Sequence, residues 1–258
     1  MVEADERTRR GSSFGAATAA YAEHRPDYAE AAVRWALAAA GPAPRVLDLA
    51  AGTGKLTATL VSIGADVTAV EPDPAMLAEF RSALPGVRSL SGRAEAIPLP
   101  DASFEAVVAG QAMHWFDMSL AASEIARVLV PGGVLADLWN ADDDREEWVA
   151  GYAAASGGNA RVTLTSWRAS SEQARVAQRD TPAEFGSPER AEFPHGQRRT
   201  AESLVATIAT HSRLLVMPEA ERAQLLAQVR TYLSTRPETS SGEFTLPMVT
   251  GVLRMIRR

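Results

Sequence analysis

Two acids and a pair of glycines carry the first chemistry legible in this chain. The segment VLDLAAGTGKLT, residues 46–57, runs from an apolar strand into a tight turn at Gly52 and Gly54, then into a helix. Asp48 stands at the end of that strand, and Glu71 follows the next apolar run, 17 residues after Gly54. Small residues let a ligand approach the backbone, and open α/β sheets bind ligands at the carboxyl ends of their strands. A carboxylate at Asp48 would repel a phosphate and attract an ammonium, directly or through water. An acid at Glu71 is placed to accept hydrogen bonds from two ribose hydroxyls.

Three ligands compete for such a turn. A dinucleotide fingerprint wants G-x-G-x-x-G/A, and counting from Gly52 the third position is Thr57. A phosphate-binding loop wants G-x-x-x-x-G-K-[ST], but Leu49 stands where the first glycine belongs and Leu56 follows Lys55. S-adenosylmethionine carries no phosphate, but it has a ribose and an amino-acid group, and Asp48 and Glu71 fit it best. The plain alternative is a βα turn with an acid near a helix start.

A second constellation, QAMHWFD at residues 111–117, follows the fourth apolar run. Trp115 and Phe116 would pack an acceptor or attract a sulfonium through their ring faces. His114 has a natural pKa near neutrality and would serve as general base for a hydroxyl, or simply hydrogen-bond within its turn. The other histidines, His24, His195 and His211, show no i, i+4 pairing, so no metal site is expected.

These residues need a frame. Apolar runs at 45–49, 66–70, 87–90, 104–109 and 134–139 alternate with helical segments at 28–40, 55–63, 74–84 and 119–130. Such alternation means βαβ units and a parallel sheet. Pro131-Gly132-Gly133 reads as a turn between the last helix and the fifth strand. An acidic stretch at 142–147 opens another helix, 156–194 gives few signals, helical periodicity returns at 201–215 and 219–233, and 243–256 has strand character.

Composition bounds the rest. The chain has 258 residues, 46% hydrophobic and 22% charged, with a formal net charge of -6, which argues against a nucleic-acid partner. It has no cysteine, which rules out disulfides, thiolate metal sites and a cysteine nucleophile. It has no apolar run long enough to span a membrane. No secretory signal is evident, so residues 1–13 read as a leader and a cytoplasmic setting is expected. Residues 14–258 read as one domain, with 14–140 as the cofactor half and 141–258 as substrate-covering helices and final strands.

At this point the chain resembles the class I methyltransferases, specifically the branch that includes trans-aconitate methyltransferase-like proteins. The resemblance is carried by VLDLAAGTGKLT, VTAVEPDPAML, GRAEAIPLPDASFEAVVAGQAMHWFD and EIARVLVPGGVLADLWN, and by the flanks FGAATAAYAEHRPDY and TLPMVTGVLRMIRR. It implies a doubly wound, mostly parallel seven-stranded sheet of Rossmann-like type, with helical cover over the substrate side. It implies S-adenosylmethionine as methyl donor, held by Asp48, Ala50, Gly52, Thr53, Gly54, Glu71, Pro72, Met76, Ala94, Glu95, Gln111 and Ala112. The backbone at Ala94 and the side chain of Glu95 would meet the adenine, with Met76 and Ile97 as apolar walls. Tyr21, Arg25 and Tyr28 would form a lid, Arg25 gripping an acceptor carboxylate; a surface role is the alternative for that arginine. His114, Trp115 and Phe116 would complete the acceptor side. One departure is Ala50, where the family often has glycine. The implied reaction is methyl transfer to a small-molecule acceptor, at a carboxylate or hydroxyl oxygen, by a monomer or homodimer. The rival is a cofactor-binding protein of this fold that catalyses a non-methylating cyclisation or serves as a binding partner.

Overall fold

The computed structural model describes residues 26–157, 162–177, 184–209, 214 and 216–258. Two of the expected lid residues, Tyr21 and Arg25, and the histidines His24 and His211 lie outside the described residues. The elements run α1 (Glu30–Leu37), β1 (Arg45–Leu49), α2 (Lys55–Ser62), β2 (Asp66–Glu71), α3 (Pro74–Ala83), β3 (Arg88–Ser91), β4 (Phe104–Gly110), α4 (Met118–Val128) and β5 (Leu129–Asp142). They continue with α5 (Glu147–Ala155), α6 (Leu164–Ala177), β6 (Glu189–Thr200), α7 (Ala201–Ala209), α8 (Glu219–Ser234) and β7 (Glu243–Ile256).

The seven strands form one sheet in the order β3-β2-β1-β4-β5-β7-β6. The β1 pairings with β2 and β4, and those of β2 with β3 and β4 with β5, are all parallel. The chain therefore winds outward from β1 in both directions, the doubly wound arrangement whose switch point lies between β1 and β4. The β1 sequence RVLDL serves both faces of the sheet: Leu47 and Leu49 enter one core cluster and Val46 the other. Burial on both faces is why the strands read as continuous apolar runs.

Local chemistry sets the helix starts that matter. Pro74 occupies the first turn of α3, and the Asp73 carboxylate accepts from the N–H groups of Ala75 and Met76 at 2.8 and 3.1 Å. Asp117 does the same for α4 by accepting from Ser119 N–H at 3.1 Å.

Two expectations are corrected, and one silent stretch gains structure. Pro131-Gly132-Gly133 lies within β5 rather than before it; the register jumps from Phe104↔Leu129 to Ala106↔Val134, with Gly132 at φ +78 absorbing the bulge. The acidic stretch at 142–147 belongs mostly to the end of β5 and a turn, and α5 starts at its last residue, Glu147. The stretch 156–194 contains α6 and the start of β6.

Contacts divide the chain into two compact units. Among the described residues, one takes those in 27–139, 171–193 and 250–258, and the other takes Pro26 with those in 140–170 and 194–249. The first holds the core clusters on both sheet faces. The second is built on Tyr152, Leu204, Ile208, Val229 and Leu233, all fully buried. Among the described residues, no helix is long and apolar enough to cross a membrane.

Candidate functional site

The first unit carries the glycine turn. Backbone N–H groups of Ala50 and Ala51 both donate to Val70 O, at 2.8 and 3.2 Å, and tie the turn to the neighbouring strand. Ala50, Gly52 and Gly54 all have positive φ, at +58, +58 and +91. At Ala50 this backbone costs roughly 1–2 kcal/mol that glycine would not. The two glycines differ in purpose. A Cβ on Gly54 would lie 2.7 Å from Leu84 Cδ1 and 3.0 Å from Phe80 Cδ2, so helix packing requires that glycine. A Cβ on Gly52 would meet only Met76 Sδ, at 3.8 Å, so its bareness leaves a cradle for something else.

Asp48 is fully buried, and its Oδ2 accepts from Thr57 Oγ1 on α2 at 2.5 Å. Its Oδ1 is buried with no hydrogen-bond partner among the described residues. Thr57 breaks the dinucleotide fingerprint, and what it does in place of a glycine is fix Asp48. Glu71 is 4% exposed; its Oε2 accepts from Gly52 N–H and its Oε1 from Asp73 N–H, both at 2.8 Å. Each carboxylate oxygen keeps a further lone pair. Burial pushes the Asp48 carboxyl up to about 7, and the Glu71 charge adds to that shift. Burial also raises Glu71, partly offset by its two backbone donors. Among the described residues neither acid shows an ion pair with a cationic side chain.

This sets a pH dependence. If Asp48 holds the ammonium of S-adenosylmethionine, its ionised form is the binding form, and affinity should rise several-fold from pH 6 to pH 8. Because folding raises this pKa, the stability that Asp48 contributes to the free protein should fall as pH climbs from about 4 to about 7, the reverse of a salt-bridged acid such as Glu105 or Asp143. Asp48→Asn should flatten the affinity profile in calorimetric titrations; an unchanged slope in that variant would remove Asp48 from the explanation.

The adenine-side residues divide. Met76 and Ile97 are buried, and Ala94 is 4% exposed. Glu95 Oε1 accepts from Asp117 N–H at 2.9 Å, and Arg93 stands 3.5 Å from its Oε2. That bond ties the loop after β3 to the turn after β4. Thr53 is buried and Pro72 exposed.

At the end of β4, Gln111 adopts φ +53 and its N–H donates to Leu138 O at 2.8 Å. Ala112 is buried, and Met113–Trp115 forms a single 3₁₀ turn. His114 is exposed, its ring 4.4 Å from Trp115 and 5.1 Å from Trp139, tilted against both. Phe116 is buried in the core cluster. Tyr28 lies over the end of β4: a Cβ on Gly110 would fall 2.5 Å from its hydroxyl.

Sequence reasoning missed Asp137 and Trp139 on β5. Asp137 is half-buried; its Oδ1 is enclosed, and its Oδ2 accepts from Trp139 Nε1 at 2.7 Å. An acid inside the apolar run GVLADLW was the available signal. Among the described residues no group of three or more His, Asp or Glu could hold a metal.

A family model described as a methyltransferase domain matches residues 47–136. A methyltransferase of Mycobacterium tuberculosis, uncharacterized, is 40% identical over 248 residues, 94% of this chain and 94% of its own. A methyltransferase-like protein of Schizosaccharomyces pombe, also uncharacterized, is 31% identical over 199 residues, 76% of this chain and 75% of its own. Among solved structures, a protein assigned as a type II methyltransferase from Anaeromyxobacter dehalogenans aligns with TM-score 0.60 at 24% identity, over 91% of this chain and 97% of that one, and shares the fold.

Proposed function

The chain belongs to the class I S-adenosylmethionine-dependent methyltransferases, and on that premise we propose that it methylates a small-molecule acceptor at oxygen. The residues fit the donor. The orphaned Asp48 Oδ1 would accept from the ammonium, Gly52 leaves the cradle, and Glu71 keeps lone pairs for ribose hydroxyls. The paired buried acids, with no ion pair to a cationic side chain among the described residues, are the observation that carries this assignment. When bound, the donor supplies a methyl group already activated on sulfur. The protein's work is then to orient the reactants, which can contribute ~7–11 kcal/mol.

The acceptor side rests on the turn after β4. His114 is exposed on it between two indole rings, within reach of solvent and so of a small acceptor. The resemblance to trans-aconitate methyltransferase-like proteins supports oxygen as the methylated atom. The net charge of -6 and the lack of an Asn/Asp-Pro-Pro-Tyr run after β4 weigh against nucleic acid. The absence of cysteine suits a reducing compartment, the cytoplasm.

The test is transfer of a labelled methyl group in mixtures of small hydroxylated and carboxylated compounds, with RNA and a protein extract as competitors. Label should enter the small molecules with release of S-adenosylhomocysteine. Label confined to RNA or protein would overturn the acceptor class, and tight donor binding without any release would favour the non-methylating rival.

A further inference from the structure

Asp137 is a half-buried acid with one enclosed oxygen, and the donor site does not use it. It lies in register with Ala109 on β4, two residues before Gln111. Its Oδ2 holds the indole N–H of Trp139, and its Oδ1 is buried with no hydrogen-bond partner among the described residues. An unsatisfied buried acceptor costs about 1–3 kcal/mol and needs a reason. The same hydrogen bond fixes Trp139, whose ring leans on His114, which in turn leans on Trp115. Three rings that solvent reaches thus run from the turn after β4 to Trp139 on β5, whose indole is held by the acid with the unpartnered oxygen.

We infer that Asp137 binds the hydroxyl of a planar acceptor, a phenol or an enol, seated on the Trp115, His114 and Trp139 rings, and takes its proton. This rests on the reading of the chain as an oxygen methyltransferase and narrows it from carboxylate or hydroxyl to hydroxyl. A carboxylate acceptor brings no proton to satisfy Oδ1 and would be repelled by the ionised group. A hydroxyl supplies the missing donor. In the transfer the acceptor oxygen gives its proton to Asp137 and forms a bond to the methyl carbon; the methyl–sulfur bond breaks, and its electron pair stays on sulfur. Burial pushes the Asp137 carboxyl up to about 7, the range in which a base both ionises and accepts a proton.

The test uses the full chain saturated with S-adenosylhomocysteine, and phenol and benzoate as probes at pH 8. The Trp139 indole N–H resonance, assigned with Trp139→Phe, reports on Asp137. Phenol should shift it and benzoate should not, and Asp137→Asn should weaken phenol binding at least about tenfold with unchanged S-adenosylhomocysteine affinity. The inference is overturned by an equal shift with benzoate, by no shift with phenol, or by native phenol affinity in the variant. The phenol–benzoate contrast is read on the native chain and stands even if the variant misfolds. Failure of S-adenosylhomocysteine to bind at all would instead sink the donor assignment, which keeps the two failures apart.

Discussion

Glu71→Ala should weaken S-adenosylmethionine binding at least about 100-fold in calorimetric titration. Hydrogen bonds to a charged group contribute about 1.5–3 kcal/mol each, and two ribose hydroxyls would be lost together. A second loss adds to the first. Glu71 clamps Gly52 N–H and Asp73 N–H, each at 2.8 Å, and so holds the cradle and the start of α3 in one geometry. Glu71→Gln, which keeps one oxygen, should lose less. Denaturation without ligand separates the two contributions, because only the clamp acts in the free protein. Affinity within threefold of native in Glu71→Ala would show that the ribose is held elsewhere.

Gly54→Ala and Gly52→Ala should fail in different ways. At Gly54 the left-handed backbone costs roughly 1–2 kcal/mol, and forcing a methyl against Leu84 and Phe80 adds about 1–3 kcal/mol. Urea denaturation should therefore show a loss of about 2–5 kcal/mol. At Gly52 the backbone cost is similar, but the only neighbour of the new methyl is Met76 Sδ at 3.8 Å. Stability should fall by only about 1–2 kcal/mol, while the methyl fills the cradle and donor affinity drops more than tenfold. Equal stability losses in the two variants would contradict the division of labour between the glycines.

The legible parts of the sequence were those whose signal is local. The strands β1, β2 and β4 are apolar runs closed by turns, and Asp48 and Glu71 announce themselves by lying at strand ends at a fixed interval from the glycines. What stayed hidden depends on tertiary partners. Nothing in the sequence says that Thr57 will serve Asp48, or that Glu95 will turn to Asp117. The β6 sequence ERAEFPHGQRRT holds a proline, a glycine and many charges, because it is a half-exposed strand at the end of the sheet and needs no apolar face to mark it. The turn expected at Pro131-Gly132-Gly133 was chemically sound; the chain spends it on a bulge inside β5 rather than on a break.

The strand order has a consequence for synthesis. The last strand in the sequence, β7, sits between β5 and β6. Until it emerges, β5 shows an open edge 14 residues long, and β6 has no strand to pair with. An unprotected apolar edge is a template for the wrong chain. The interval between making β5 and making β7 is therefore when a nascent molecule is most exposed to misassembly, and a fragment cut short before Glu243 would keep that exposure permanently.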